Sequence, residues 1–327
     1  PPPPFSSIRR HTRLCKLSRG LGDVYKRQPV TQSQPVIAVI GATGAVGSST
    51  AELLARRGRR VVVVSRDAER AEVIAAPLSN AIGLRGSLAD PSSLEIDDPG
   101  IANNCTGIED LDAIRRWRRA GWATIDITPS SAYAVALAAE PLDGPPLLVG
   151  VGLTPGLTSL LARQLVLADP DASAVTTSCL VGLGEDYGDA SRTWTLSQLG
   201  RQIGDLHGTS FRNFSSPETI DFPGGFGHRP AWRFDFADRS LLPELLGVRV
   251  TTRYCFDSRL AGRALAIASA VPGAPGLIQR LGRTTRRGVH GTAWWAGVVE
   301  TDTGKRAWAL GDSQSFGTAA ITTIASD

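Results

Sequence analysis

Residues 36–58 read VIAVIGATGAVGSSTAELLARRG, and few folds accommodate such a stretch. A β-branched apolar run passes into Gly41, Gly44 and Gly47, and an amphipathic segment follows at once. The pattern predicts a buried strand, a tight turn and a helix. In such a turn the first glycine permits the bend, the second lets a diphosphate approach the backbone, and the third allows close helix packing. The opening helix presents unpaired N–H groups and a partial positive charge to phosphates. Gly41, Thr43, Gly44, Ala45, Val46 and Gly47 are therefore expected to cradle a dinucleotide, the alternative being a glycine turn kept only for packing.

The end of the second strand reads the cofactor. Four valines at 61–64 lead into Ser65 and Arg66, where a site selective for NAD(H) usually carries an acid for the ribose 2′-hydroxyl. A guanidinium instead bonds a 2′-phosphate in bidentate fashion, so Ser65 and Arg66 predict NADP(H), with NAD(H) disfavoured. In the competing reading Asp67 is the ribose acid and Arg66 is solvated.

From Val36 onward, short β-branched runs alternate with longer amphipathic stretches, as in a parallel sheet covered by helices. Strands are expected at Val36–Ile40, Val61–Ser65, Ala81–Leu84, Ile101–Asn104, Trp122–Ile127 and Leu147–Val149, with helices up to Arg57, from Asp67 to Ala76 and over Asp110–Ala120. Two later strand ends, NNCTG at 103–107 and DIT at 126–128, face the same crevice, although turn chemistry alone would also explain them. Cys105, Thr106 and Gly107 are assigned to the nicotinamide side.

The second half has another rhythm. A helix from Pro155 to Ala168 precedes strands at Ala174–Leu183, within His207–Phe214, and at Ala231–Phe236, Val248–Phe256, Thr292–Glu300 and Arg306–Leu310. Helices are expected at Ser191–Ile203, Leu241–Leu246, Ser258–Ala268 and Gly276–Arg286. The fold class is α/β: an amino-terminal Rossmann domain with a parallel sheet over 29–150, then an α+β substrate and dimerisation domain on a largely antiparallel sheet over 151–312. Residues 313–327 begin a small-residue helix that is expected to be cut short and to pack back on the Rossmann domain.

VIGATGAVG, VVVVSRD, NNCTG, GWATIDIT and GVGLTPGLTSLLAR together resemble the saccharopine dehydrogenase-like family of NADP-linked oxidoreductases. SQSFGTAAITTIA is similar to that family's returning helix. The resemblance covers residues 35–165 well and the remainder loosely. It implies hydride transfer to or from a small carbonyl, imine or amino-acid-type metabolite, and a second domain carrying the substrate pocket and a homodimer contact. After the fourth-strand glycine, and again after Asp-Ile-Thr, the chain departs from the family with Ile108-Glu109 and Pro129-Ser130.

The cofactor carries the hydride, so the protein need only orient the substrate and move a proton. No Tyr-x-x-x-Lys occurs, the lysines being Lys16, Lys26 and Lys305. Tyr187 as donor, Arg192 as carboxylate clamp and Asp126 at its strand end are the candidates. A polar loop and helix cap, with Asp189 or Ser191 capping the following helix, is the slightly favoured reading of the 182–194 segment. His207 and His228 are alternative acids, while Cys105 lacks a visible activating partner. With no convincing acid–base pair, a catalytically silent NADP(H)-binding redox sensor or regulatory protein stays open.

Charge points away from nucleic acid. Asp23–Gln28 reads DVYKRQ, the translation of a transposase end sequence used in library preparation, so residues 1–28 are treated as a non-native tail. That tail holds seven basic residues against Asp23 alone. The formal +4 of the chain thus becomes −2 for residues 29–327, which favours neither a polyanion nor an anionic membrane. Met is absent from all 327 residues, as expected of a fragment. Four scattered cysteines and four isolated histidines fit reduced thiols and no metal, and no apolar run reaches the ~18–20 residues that span a bilayer. A cytoplasmic protein with a small-molecule substrate is the expectation.

Overall fold

In the computed structural model, which describes residues 34–184, 188–204, 210–276, 278 and 291–327 (backbone alone at 188–190 and 192), the β-branched runs form a six-stranded parallel sheet. Its strands are β1 (Ile37–Ile40), β2 (Val61–Ser65), β3 (Ala81–Arg85), β4 (Ile101–Asn104), β5 (Ala123–Asp126) and β6 (Leu147–Val149), in spatial order β3-β2-β1-β4-β5-β6. Side chains alternate across a strand, so both faces of β1 and β2 need cover. Ile37, Val39, Val61 and Val63 pack beneath α1 (Ala45–Arg56) and α2 (Ala68–Ala75), against Ala51, Leu54, Ala71 and Ala75. Ala38, Ile40, Val62 and Val64 face α3 (Leu111–Arg119) and α4 (Ser131–Ala138), against Ile114, Trp117 and Leu137. The fully buried Trp117 meets Trp122 edge-on at 5.3 Å, and its indole N–H donates to the Leu88 carbonyl at 2.8 Å.

Helix α4 was not among the expected elements. Its sequence, SAYAVALA, is apolar on every face and carries no 3.6-residue signal. Asp67 and Asp110 cap α2 and α3 as their positions suggest, accepting from Arg70 N at 3.2 Å and Ala113 N at 2.8 Å.

A second, mixed and largely antiparallel sheet follows α5 (Leu157–Leu167). It contains β7 (Ala174–Val181), β10 (Ser215–Phe222), β11 (Gly227–Arg233), β12 (Arg249–Phe256), β13 (Trp294–Thr301) and β14 (Arg306–Asp312), in order β10-β11-β12-β7-β13-β14. Only the central β12–β7 pair is parallel. A hairpin of β8 (Gln202–Gly204) and β9 (Ser210–Arg212) stands apart. The helix expected over Ser191–Ile203 is instead α6 (Gly188–Ser197), the chain turning into β8 by Gln202. The strand expected at Ala231–Phe236 begins at Gly227 and ends at Arg233. Strand β10 was not expected, because it is an edge strand reading SSPETIDF with only Ile220 and Phe222 buried. Pro217 is tolerated there since an edge strand has unpaired ladder positions. His207, and most of the helix expected over Gly276–Arg286, lie outside the described residues.

The second half meets the first through α7 (Asp238–Leu246), whose Ser240 hydroxyl lies 2.6 Å from that of Ser131, and through Ala237 N donating to Pro129 O at 3.3 Å. Helix α8 (Arg259–Ala270) covers β11 and β12, with its Gly262 packed under Trp232. Helix α9 (Gln314–Ala325) returns to α1, with Ala319, Thr322 and Thr323 buried in the contact. Past its end, Ser326 accepts from the Asn103 amide at 3.0 Å, and Asp327 pairs with Arg57 and with Arg59, the latter at 3.2 Å. No helix among the described residues is long and apolar enough to cross a membrane.

Candidate functional site

Strand order reverses between β1 and β4, and a cavity of about 550 Å³ opens at the carboxyl ends of these strands. Open α/β sheets bind ligands at this point. The chain leaves β1 through Gly41, at φ +83°, where an added Cβ would lie 3.0 Å from Thr106 backbone. At Gly47 a Cβ would stand 2.4 Å from Gly41 O and 2.8 Å from Ala42 Cα, so this residue is glycine to let α1 sit against the turn. Gly44 differs. Its backbone is ordinary, at φ −87° and ψ 164°, and an added Cβ would meet only Gly41 O, at 3.3 Å. Packing presses less on 44 than on 47: a methyl there asks Gly41 O to give by a few tenths of an ångström, with no backbone clash under 3.0 Å, and a ligand lying against the backbone would add its own demand for glycine. Gly44 is also the N-cap of α1 and gives it no side-chain cap, which leaves the first-turn amides to the cavity that Thr43, Gly44, Ala45 and Val46 line.

Ser65, Arg66, Asp67 and Arg70 line the β2 side. The Asp67 carboxylate caps α2 through Arg70 N, and Asp67 N donates to Ser65 Oγ at 3.2 Å. Arg66 and Arg70 are exposed and form no ion pair among the described residues. Arg70 was not foreseen; its signal is the four-residue spacing from Arg66, one helical turn onward.

On the β4 side, Asn104 holds the loop. Its Oδ1 accepts from Thr106 N at 3.2 Å and Thr106 Oγ1 at 2.6 Å, while its Nδ2 donates to Ile108 O at 3.3 Å and to Asp126 at 2.7 Å. Cys105, Thr106, Gly107 and Ile108 thereby form part of the wall. The Cys105 thiol turns inward beside Thr50, and burial pushes its pKa up to about 12, so it is a neutral group there.

Asp126 lies under this wall, fully buried and not among the lining residues. Its carboxylate accepts from Thr128 N at 2.8 Å, from Asn104, and from the Tyr133 hydroxyl at 3.5 Å. Burial raises its pKa, with the Thr128 and Asn104 bonds opposing the shift. The geometry gives it the role of fixing two loops. Tyr187 lies outside the described residues, as does the Arg192 side chain.

The far end of the cavity is built by the second half of the chain: Thr154 from the crossover, Cys179 and Val181 from β7, Trp194 from α6, Phe236, and Tyr254 from β12. Each is unremarkable in its own segment, and no sequence signal joins them.

Residues 37–99 match the family model described as the saccharopine dehydrogenase NADP binding domain. Over these residues the chain is similar to the NADP-binding domain of saccharopine dehydrogenase. The match runs from β1 to the turn before β4 and includes the glycine turn, Ser65, Arg66 and Arg70. No curated protein matches the chain. Solved structures similar to part of it include a short-chain dehydrogenase from Sphingobium yanoikuyae in complex with NADPH, at 23% identity, over 31% of this chain and 56% of that one, with a TM-score of 0.26. YwfH, an NADPH-dependent reductase involved in bacilysin biosynthesis, aligns at 20% identity over 30% and 60% of the two chains, with a TM-score of 0.24. Ribose-5-phosphate isomerase from Brucella melitensis 16M aligns at 20% identity over 42% and 64%, with a TM-score of 0.26. The chain thus spans less than two thirds of the length of these structures, and such overlap says nothing about activity.

Two buried carboxylates give opposite expectations. Asp126 faces two obligate donors, a backbone amide and an amide NH₂, so Asp126→Asn turns an NH₂ against one of them and should cost about 1–3 kcal/mol by calorimetry. Asp238 faces the hydroxyls of Thr158, at 2.7 Å, and Ser159, both of which can rotate to accept, so Asp238→Asn is tolerated. Burial raises the Asp238 pKa above its ordinary value of 3.8. Its folded form therefore keeps the proton to higher pH than the unfolded form. That contribution is complete below the unfolded pKa and is lost as pH rises through the folded one. The melting temperature of Asp238→Asn should gain on wild type as pH is raised above about 4; a difference that stays constant with pH would rule this out.

Proposed function

We propose that the chain is an NADP(H)-dependent oxidoreductase that transfers hydride to or from a small carbonyl, imine or amino-acid-type metabolite held between the first sheet and the second. The carrying observation is the start of α1, where Gly44 gives no side-chain cap and its backbone, with Thr43, Ala45 and Val46, lines the cavity, so that the first-turn amides are left to it. In this reading those amides hold the diphosphate, and Ser65, Arg66 and Arg70 hold the 2′-phosphate. Cys105, Thr106 and Gly107 border the nicotinamide, which when bound supplies or takes the hydride. The crossover and β7 then place the substrate over it. The assignment of NADP(H) over NAD(H) rests on two guanidiniums and on an Asp67 carboxylate already spent on capping α2.

Separate titrations with NADPH and NADH test it, on wild type, Arg66→Ala and Arg70→Ala. A charged hydrogen bond contributes about 1.5–3 kcal/mol, so each variant should bind NADPH roughly 10- to 100-fold more weakly while its NADH affinity stays the same. Equal wild-type affinity for the two cofactors would overturn the preference.

The silent-sensor reading has one observation in its favour. Both thiols lining the cavity are held neutral, at about 12 for Cys105 on the β4 side and about 11 for Cys179 at the far end, and Asp126 is sealed beneath the wall. NADPH binding that alters association with a partner, with no hydride transfer, would select it.

A further inference from the structure

The cavity changes character along its length. Its β2 end carries the charges of Arg66, Asp67 and Arg70. Neighbouring strands lie about 4.8 Å apart, and β4 and β5 are two and three positions from β2. By strand spacing alone, the carboxyl ends of β4 and β5 are therefore roughly 10–14 Å from that of β2, where the guanidiniums lie.

The opposite end is walled by rings. Cys179 and Val181, two apart on β7, share one face of the second sheet, and the parallel register sets Tyr254 beside Cys179. Trp194 stacks on Phe236 with centroids 6.2 Å apart and planes at 24°, and Phe236 meets Tyr254 edge-on at 5.6 Å and 89°. Behind them, Phe214, Phe234 and Phe256 complete one aromatic cluster, which backs the wall with packed core. Among the described lining residues here, the polar groups are the Thr154, Ser191 and Thr195 hydroxyls, the Tyr254 phenol, the Trp194 indole N–H and the neutral Cys179 thiol, none of them charged. A carboxylate pressed against these walls would give up its water, and among the described lining residues of this end it would meet no cation. Flat aromatic faces instead suit a ring.

Building on the oxidoreductase reading, we infer that the site takes an uncharged ketone with an aromatic or alicyclic body, seated against Trp194, Phe236 and Tyr254, and discriminates against 2-oxo acids and amino-acid imines. In the forward direction the carbonyl carbon gains the hydride from NADPH and the π pair takes a proton at oxygen. A secondary alcohol and NADP⁺ are the products.

The test saturates the full chain with NADPH and then offers 2-tetralone or 2-oxoglutarate with lysine, following binding by calorimetry and reduction by nicotinamide absorbance. 2-Tetralone should bind saturably and at least about 10-fold more tightly than 2-oxoglutarate, a gap of about 1.4 kcal/mol. Trp194→Ala should erase most of that gap, Trp194→Phe should preserve it, and both should keep wild-type NADPH affinity. Tighter 2-oxoglutarate binding, or no saturable ketone binding, overturns the inference and leaves the cofactor reading intact; the former would return attention to Arg192. Absent NADPH binding overturns the functional reading itself. Ketone bound but never reduced overturns the oxidoreductase reading and leaves the ring site standing. The wild-type comparison decides the matter even if Trp194→Ala does not fold.

Discussion

Gly44→Ala is expected to weaken NADPH binding by about 100-fold or more while moving the melting temperature by less than about 3 °C. The backbone at 44 suits alanine, and the new methyl would press on Gly41 O alone, at 3.3 Å, which a shift of a few tenths of an ångström relieves. Seen from the cavity, that methyl occupies the surface on which a diphosphate would lie, and losing two charged hydrogen bonds there removes about 3–6 kcal/mol. Gly47→Ala should behave in the opposite way. Its Cβ would meet two backbone atoms, at 2.4 and 2.8 Å, which cannot turn aside. Overpacking of this kind costs about 1–3 kcal/mol and should appear first as a lower melting temperature. Calorimetry paired with NADPH titration separates the two, and a reversed ranking would place the diphosphate elsewhere.

Tyr254→Phe is expected to lower kcat by about 10²- to 10⁴-fold, the range of a lost general acid, with NADPH affinity and substrate KM little changed. Tyr254 brings a phenol to the substrate end, held by ring contacts to Phe234 at 5.0 Å and Phe256 at 4.8 Å. Phenylalanine keeps those contacts and removes only the hydroxyl. Steady-state kinetics over a range of pH checks this, and full activity in the variant would assign proton delivery to the Thr128 or Thr154 hydroxyl or to solvent.

That the ends of β1 and β2 line the crevice was legible because the determinants are local. Gly41 to Gly47, the four valines and Ser65-Arg66 each act within one turn of the chain, and β-branched runs announce strands buried on both faces. The far end of the cavity was not. Trp194, Phe236 and Tyr254 converge only because β12 pairs with β7 and Trp194 of α6 packs on the cluster they form, a matter of register between distant segments. Asp126 shows the intermediate case: its place at a strand end was readable, but its burial depends on Asn104 and Tyr133 closing over it. The polar segment that supplied Tyr187 and Arg192 drew attention by its chemistry, whereas the aromatic wall consists of residues that any core would contain.

Helix α9 links the two halves in time as well as in space. The amide of Asn103 finds its buried partner 223 residues later, and Arg59 its carboxylate 268 residues later. During synthesis the β1–α1 unit would leave the ribosome with one flank bare and acquire its cover only when residues near 320 emerge. Contacts of such long range slow folding and expose apolar surface meanwhile. The nucleotide-binding sheet and the ring-walled chamber should therefore melt as one cooperative unit, so that a ligand gripping either end protects both.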